Sequence, residues 1–351
     1  MKPWSSLLLV LFWLSSPAVA DEIRTDPVAE NMLLLQTASG GWSKHFDGKA
    51  VDYERSYPPA EIDALKSADR HDGATIDNKA TTREIRYLAD AYRKTGNSAY
   101  LEASRRGVTY LLAAQYANGG WPQYYPDRSL YRHQITFNDD AMVRVLDLLQ
   151  DVAEGRGALS VLMSEFGLRA QQAIARGIDC ILATQVRIDG KPTIWAAQYD
   201  ETTLQPAKAR TYELPSLAVA ESVGVMRYLM RQPRPTPALI HAVDAAAQWL
   251  DLHRLPDAAM RKVEAPGEET GRDVLIQAQP GASLWARFYD LRRQQPMFVN
   301  RQGQQVARFA DIPNERRVGY AWYGVWPEKL LSQDLPRWRK SIAPSPAHDA
   351  P

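Results

Sequence analysis

Leu111-Leu112-Ala113-Ala114-Gln115-Tyr116-Ala117-Asn118-Gly119-Gly120-Trp121, followed at Thr136 by Thr136-Phe137-Asn138-Asp139-Asp140-Ala141, is the stretch on which the fold turns. Its first half reads as a helix end and a glycine turn, because glycine just past a helix supplies the left-handed cap. Its second half is a polar cluster that opens an amphipathic helix, with Met142, Val145, Leu146 and Leu149 at helical spacing. Both halves recur. Leu34-Leu35-Gln36…Gly40-Gly41-Trp42 keeps the same six-residue step from Gln to Trp, and Ile181-Leu182…Gln185…Gly190…Trp195 is a looser copy. Thr75-Ile76-Asp77-Asn78-Lys79-Ala80 repeats the polar cluster 61 residues earlier, ahead of Ile85, Leu88, Ala89 and Tyr92. Thr211-Tyr212-Glu213 is a fainter third echo. The unit is outer helix, Gly-Gly-Trp turn, polar cluster, inner helix, and it occurs about three times. Parallel inner helices would present their N-termini, and so the polar clusters, at one mouth. The expected fold is mainly α: a partial α/α toroid, an (α/α)3 barrel-like arc.

Outward from this core, Leu239, Val243, Ala246 and Leu250 mark another helix, and residues 100–115, 165–185 and 217–230 read as helical. Period-two alternation is scarce. Residues 296–310 are the best strand candidate, as a hairpin turning at Gln302-Gly303. Residues 1–20 combine Lys2, the apolar run Leu7–Leu14 and Ala18-Val19-Ala20, a small-x-small cleavage site. They are expected to be a signal peptide, which exports the chain to the periplasm or the exterior. The run is too short to span a membrane. Residues 21–340 then form the catalytic domain, and residues 341–351 a disordered tail.

The 351 residues are 45% hydrophobic and 24% charged, ordinary for a globular protein. Lys and Arg number 42 against 41 Asp and Glu, so no basic excess supports nucleic-acid binding. The single cysteine, Cys180, rules out an intramolecular disulfide and a Cys-rich zinc site, and its apolar neighbours mark it as buried. No G-x-S-x-G, H-E-x-x-H, P-loop or G-x-G-x-x-G motif is present.

Asp77-Asn78 and Asn138-Asp139-Asp140 form the main constellation. Hard oxygen donors without His or Cys select Ca²⁺, Mg²⁺ or Mn²⁺ over zinc. Two helix starts meeting at one mouth could supply two to four ligands and leave room for a substrate carboxylate. A pair of acids could equally be the acid and base of a glycosidase. Arg210, ahead of Pro215-Ser216, stands before the third inner helix and at the same mouth. Lys44 follows the first Gly-Gly-Trp turn.

Gly119-Gly120-Trp121-Pro122-Gln123-Tyr124-Tyr125-Pro126 and His133–Met142 resemble the pectate lyases of polysaccharide lyase family ten. Thr75–Thr81 resembles that family's first acidic motif, and Arg210–Ser216 its arginine segment. Trp285–Asp290 and Arg316–Tyr323 resemble its later segments, so the likeness runs from about residue 30 to residue 330. The resemblance implies a smaller irregular, β-containing region beside the toroid, and calcium-assisted β-elimination of polygalacturonate. It places Ca²⁺ on Asp77, Asn78, Asp139 and Asp140, with the coordinating Asp of the second cluster left open. It makes Arg210 the base and Lys44, Lys208, Arg287, Arg301 and Arg317 substrate contacts. The first turn departs from the family pattern, reading Gly-Trp-Ser-Lys for the usual Gly-Trp-Pro-Lys.

The expected partner is an acidic polysaccharide met by a monomer, with no nucleic acid and no membrane. Binding the uronate carboxylate to Ca²⁺ and basic groups offsets the charge that develops when the proton on carbon 5 leaves. Arginine, with a pKa of about 12 or higher, needs desolvation and nearby cations such as Lys208 to act as base. Lys208 itself is the alternative base. An α/α-toroid hydrolase and a non-catalytic pectin-binding protein are the competing functions.

Overall fold

The computed structural model describes residues 24–46, 48–67 and 73–343. The expected signal peptide and residues 344–351 of the expected tail lie outside the described residues. Helices α1 (Pro27–Leu35) and α2 (Pro59–Ser67) lead into three pairs: α3 (Thr82–Thr95) with α4 (Ser98–Ala114), α5 (Ala141–Ala153) with α6 (Ser160–Thr184), and α7 (Val219–Met230) with α8 (Pro237–Leu252). The short helices α9 (Asn314–Gly319), α10 (Trp326–Lys329) and α11 (Leu335–Ile342) follow. Helices α3, α5 and α7 pack side by side, with α4, α6 and α8 outside them, and α10 continues the inner row against α7. This is the partial α/α toroid. Among the described residues, no helix is long and apolar enough to cross a membrane.

The helical spacing explains the packing. Ile85, Leu88 and Ala89 on α3, and Met142, Val145, Leu146 and Leu149 on α5, are fully buried. Gly96, left-handed at φ 75°, ends α3, and the Asn97 side chain immediately caps α4 by accepting from the Ala99 amide at 3.1 Å. That two-residue turn forces an antiparallel pair.

Each tryptophan of the repeat clasps an outer helix. The indoles of Trp42, Trp121 and Trp195 donate to the carbonyls of Met32, Leu111 and Ile181 at 2.7–2.8 Å. Each preceding glutamine ties its own turn to the next outer helix. Gln36 Nε2 donates to Gly40 O and Ala103 O, Gln115 to Gly119 O and Ala173 O, and Gln185 to Thr193 O and Ala242 O. Buried Trp42, Trp121, Trp195 and Trp322 are therefore packing elements rather than platforms for a sugar ring.

The structure adds a fourth copy to the three expected. Trp285 donates to Leu250 O of α8 at 2.7 Å. Trp195-Ala196…Tyr199-Asp200…Gln205-Pro206 and Trp285-Ala286…Tyr289-Asp290…Gln295-Pro296 share one backbone pattern. Both tyrosine hydroxyls accept from the alanine amide, at 2.6 and 3.2 Å, and both aspartates cap the next turn. An antiparallel ribbon, Leu255–Glu264 with Arg272–Ala286, follows α8 and carries this tryptophan near the end of its second strand. The ribbon is solvated on both faces over most of its length, so it carries no apolar alternation to betray it.

Short strands stitch each inner-helix entry to the following tryptophan segment: Ile135–Thr136 pairs with Gln198–Tyr199, and Leu217–Ala218 with Phe288–Tyr289. The expected hairpin is present as Phe298–Val299 with Gln305–Val306. Its turn residue Gly303 has φ 82°, and a Cβ there would lie 2.5 Å from the Thr211 carbonyl. The hairpin thus presses against the Arg210 segment.

Candidate active site

The two acidic clusters meet. The one-turn helices Asp77–Lys79 and Asn138–Asp140 touch each other, and the second touches α7. Asn78 and Asp139 occupy matching places, both left-handed at φ 49° and 50°. After glycine, Asn and Asp adopt this conformation most readily, which suits them to these places. The Asp77 amide donates to Thr75 Oγ1 at 3.1 Å, and that hydroxyl donates to Gln123 O at 2.5 Å. Asp77 is buried, with its side chain 4% exposed. Its Oδ2 pairs with Lys44 Nζ, and its Oδ1 has no partner among the described residues. Burial works against the Lys44 charge, but the bond and the attraction to Asp77 outweigh it and raise the pKa above the ordinary lysine value.

Lys44 and Arg287 hold one place in the repeat, two residues after Trp42 and Trp285. Arg287 Nη2 lies 2.5 Å from Glu221 Oε1 and 3.4 Å from Asp139 Oδ1. Its guanidinium also lies 5.5 Å from the Phe288 ring centroid and 5.2 Å from that of Tyr320. Burial disfavours its charge, yet Glu221, Tyr320 and Asp139 together hold its pKa above the ordinary value. Glu221, buried on α7, is the third acid of the mouth, and the sequence reading missed it.

Asp140 turns elsewhere. It lies against α7, where a Cβ on Gly224 would be 2.0 Å from its Oδ1, and its nearest cation is Arg144 at 3.7 Å. Burial pushes its carboxyl up, helped by Glu221 and Asp139 and opposed by Arg144. Asn78 is exposed. Among the described residues, no three His, Cys, Asp or Glu side chains come together closely enough to hold a metal.

Arg210 stands on the rim. Its backbone and Nε donate to Glu213 Oε2 at 3.0 and 2.8 Å, and Nη2 donates to Oε1. The Glu213 bond raises its pKa above the ordinary guanidinium value. Glu213 thus favours the charged form of Arg210, the form that a base must leave. Three guanidinium groups surround the Tyr212 ring: Arg316 at 4.2 Å, Arg210 at 5.1 Å and Arg301 at 5.9 Å. Arg301 makes a two-pronged exposed pair with Glu315 at 2.7 and 2.8 Å. Lys208 is exposed, and its carbonyl accepts from Gln134. Tyr131 stands within electrostatic reach of Arg210, Lys44 and Tyr124, so the rim is continuous.

Arg317 is placed differently from the substrate contact expected of it. It is buried, bonded to both oxygens of Asp273 at 2.6 and 3.0 Å and to the carbonyls of Ala310 and Ile312. It anchors the ribbon, and its neighbour Arg316 faces the tyrosines instead. Cys180 is buried and its thiol is pushed up to about 12, which leaves it no nucleophilic role.

An arc of helical pairs with acids and bases gathered at one mouth defines the class as a partial α/α toroid. Residues 36–331 match the family model described as pectic acid lyase, and the chain belongs to that family. It is similar to a family 10 polysaccharide lyase from Cellvibrio cellulosa at 31% identity and a TM-score of 0.74, covering 90% of this chain and 92% of that one. A mutant of a family 10 polysaccharide lyase from the same organism, in complex with trigalacturonic acid, gives 30% identity and a TM-score of 0.73 over the same shares. No curated protein matches.

Proposed function

We propose that this lyase cleaves polygalacturonate by β-elimination, with calcium bound between Asp77 and Asp139 and Arg210 as the base. The observation that carries the reading is the buried Asp77 carboxylate, with one oxygen unpartnered among the described residues and the other on Lys44, beside the second acid cluster. Those oxygens suit a hard cation, and two carboxylates leave coordination positions for a uronate and water. A bound calcium would neutralise the uronate and the charge developing on it. The trigalacturonate complex of the similar lyase supports the substrate class.

Lys44 and Arg287 flank the acids and can receive uronate carboxylates. Arg301 and Arg316, gathered with Arg210 at the Tyr212 ring, extend the basic rim. Arg210 accepts the carbon 5 proton, the carbon 4–oxygen bond breaks, and the electron pair forms the carbon 4–carbon 5 double bond. The departing glycosidic oxygen takes up a proton from water, and Arg210 returns the carbon 5 proton to solvent. To accept a proton, Arg210 must be neutral, and Glu213 opposes that by favouring the charged form. Activity therefore rises with pH into the alkaline range. Glu213→Gln removes the charge that holds the Arg210 proton. The rising limb of the kcat/KM profile against pH is expected to move to lower pH in that variant. An unmoved limb would mean that Glu213 no longer faces Arg210 in the reacting complex.

A further inference from the structure

Lys44 and Arg287 occupy equivalent repeat positions, yet they hold their acids differently. Arg287 rests firmly on Glu221, whose side chain is 1% exposed, and reaches Asp139, 48% exposed, only at 3.4 Å. Asp139 can therefore leave Arg287 without moving it. Asp77 has no such freedom. An unneutralised carboxylate is costly at a site this buried, and Lys44 is the cation bonded to it. Lys44, by contrast, is 22% exposed on a flexible stem beside the rim.

We infer that Lys44 is an exchangeable counter-ion: it occupies Asp77 in the free enzyme, gives up that carboxylate when calcium binds, and passes its ammonium to a uronate carboxylate. This rests on the calcium reading above and goes beyond it, because it makes Lys44 both a competitor of the metal and the residue that couples metal to substrate. Such coupling is reciprocal, so uronate must tighten calcium binding by the factor by which calcium tightens uronate binding. Arg287, held by Glu221, contributes no equivalent competition.

The test is calcium binding by equilibrium dialysis, with and without trigalacturonate, in an Arg210→Ala background that leaves the oligosaccharide intact. Lys44→Met removes the competing charge. Lys44→Gln does so while keeping a hydrogen-bond donor for Asp77, and circular dichroism checks that each variant folds. Without oligosaccharide, both variants are expected to bind calcium about tenfold more tightly than the Lys44 parent. The tightening brought by trigalacturonate is expected to shrink by a similar factor. If the folded variants bind calcium no more tightly than the parent, the exchange is overturned while the calcium reading stands. If the parent binds no calcium even with trigalacturonate, the calcium reading fails and takes the exchange with it.

Discussion

Replacing Arg210 with alanine is expected to lower kcat on polygalacturonate by about 10²–10⁴-fold, the usual worth of a general base. Calcium-dependent binding of an oligogalacturonate should change only a few-fold, because Lys44, Arg287, Arg301 and Arg316 remain. The side chain is exposed and its ion pair with Glu213 is at the surface, where such a pair contributes about 1 kcal/mol or less. The variant should therefore stay folded, and a lost rate can be assigned to chemistry. Single-turnover kinetics with separately measured binding would check the split. A loss confined to KM would remove Arg210 from the proton transfer and turn attention to Lys208.

The second large effect is expected at Asp77. Asp77→Asn preserves shape but takes away the buried charge that would face calcium and that holds Lys44. The rate at limiting calcium should fall about 100-fold or more, and the calcium needed for half-maximal rate should rise at least about tenfold. High calcium should restore part of the loss, which would not happen if Asp77 merely supported the fold. The same substitution at Asp140, which faces Gly224 and Arg144, should leave the calcium requirement much closer to that of the unaltered enzyme. A calcium titration of the initial rate for each variant distinguishes the two acids.

The residues made some of this legible and hid the rest for physical reasons. Three helical pairs could be read because Ile85, Leu88 and Ala89, or Met142, Val145 and Leu146, face one core at helical spacing. The matching acid clusters could be read because both open an inner helix through the same turn, whose left-handed backbone at Asn78 and Asp139 favours Asn and Asp. The fourth tryptophan clasp was obscured by the ribbon between Leu250 and Trp285, although the Trp-Ala…Tyr-Asp…Gln-Pro likeness at 195 and 285 carried the signal. Glu221 sits in an apolar run, Val219-Ala220-Glu221-Ser222-Val223, with no polar motif around it. Its role depends on Arg287, 66 residues away. Arg316 and Arg317 are adjacent, and only the packing of α9 decides that one meets Tyr212 while the other meets Asp273.

The measurement that tests the central claim most directly is ultraviolet absorbance during incubation with polygalacturonate at alkaline pH, with calcium or with a chelator. Elimination leaves a double bond conjugated to the carboxylate, and hydrolysis does not. A steady rise in absorbance is predicted with calcium, abolished by the chelator and restored when calcium is returned. New chain ends without that absorbance would contradict elimination, and a rise that survives the chelator would contradict the role given to Asp77 and Asp139.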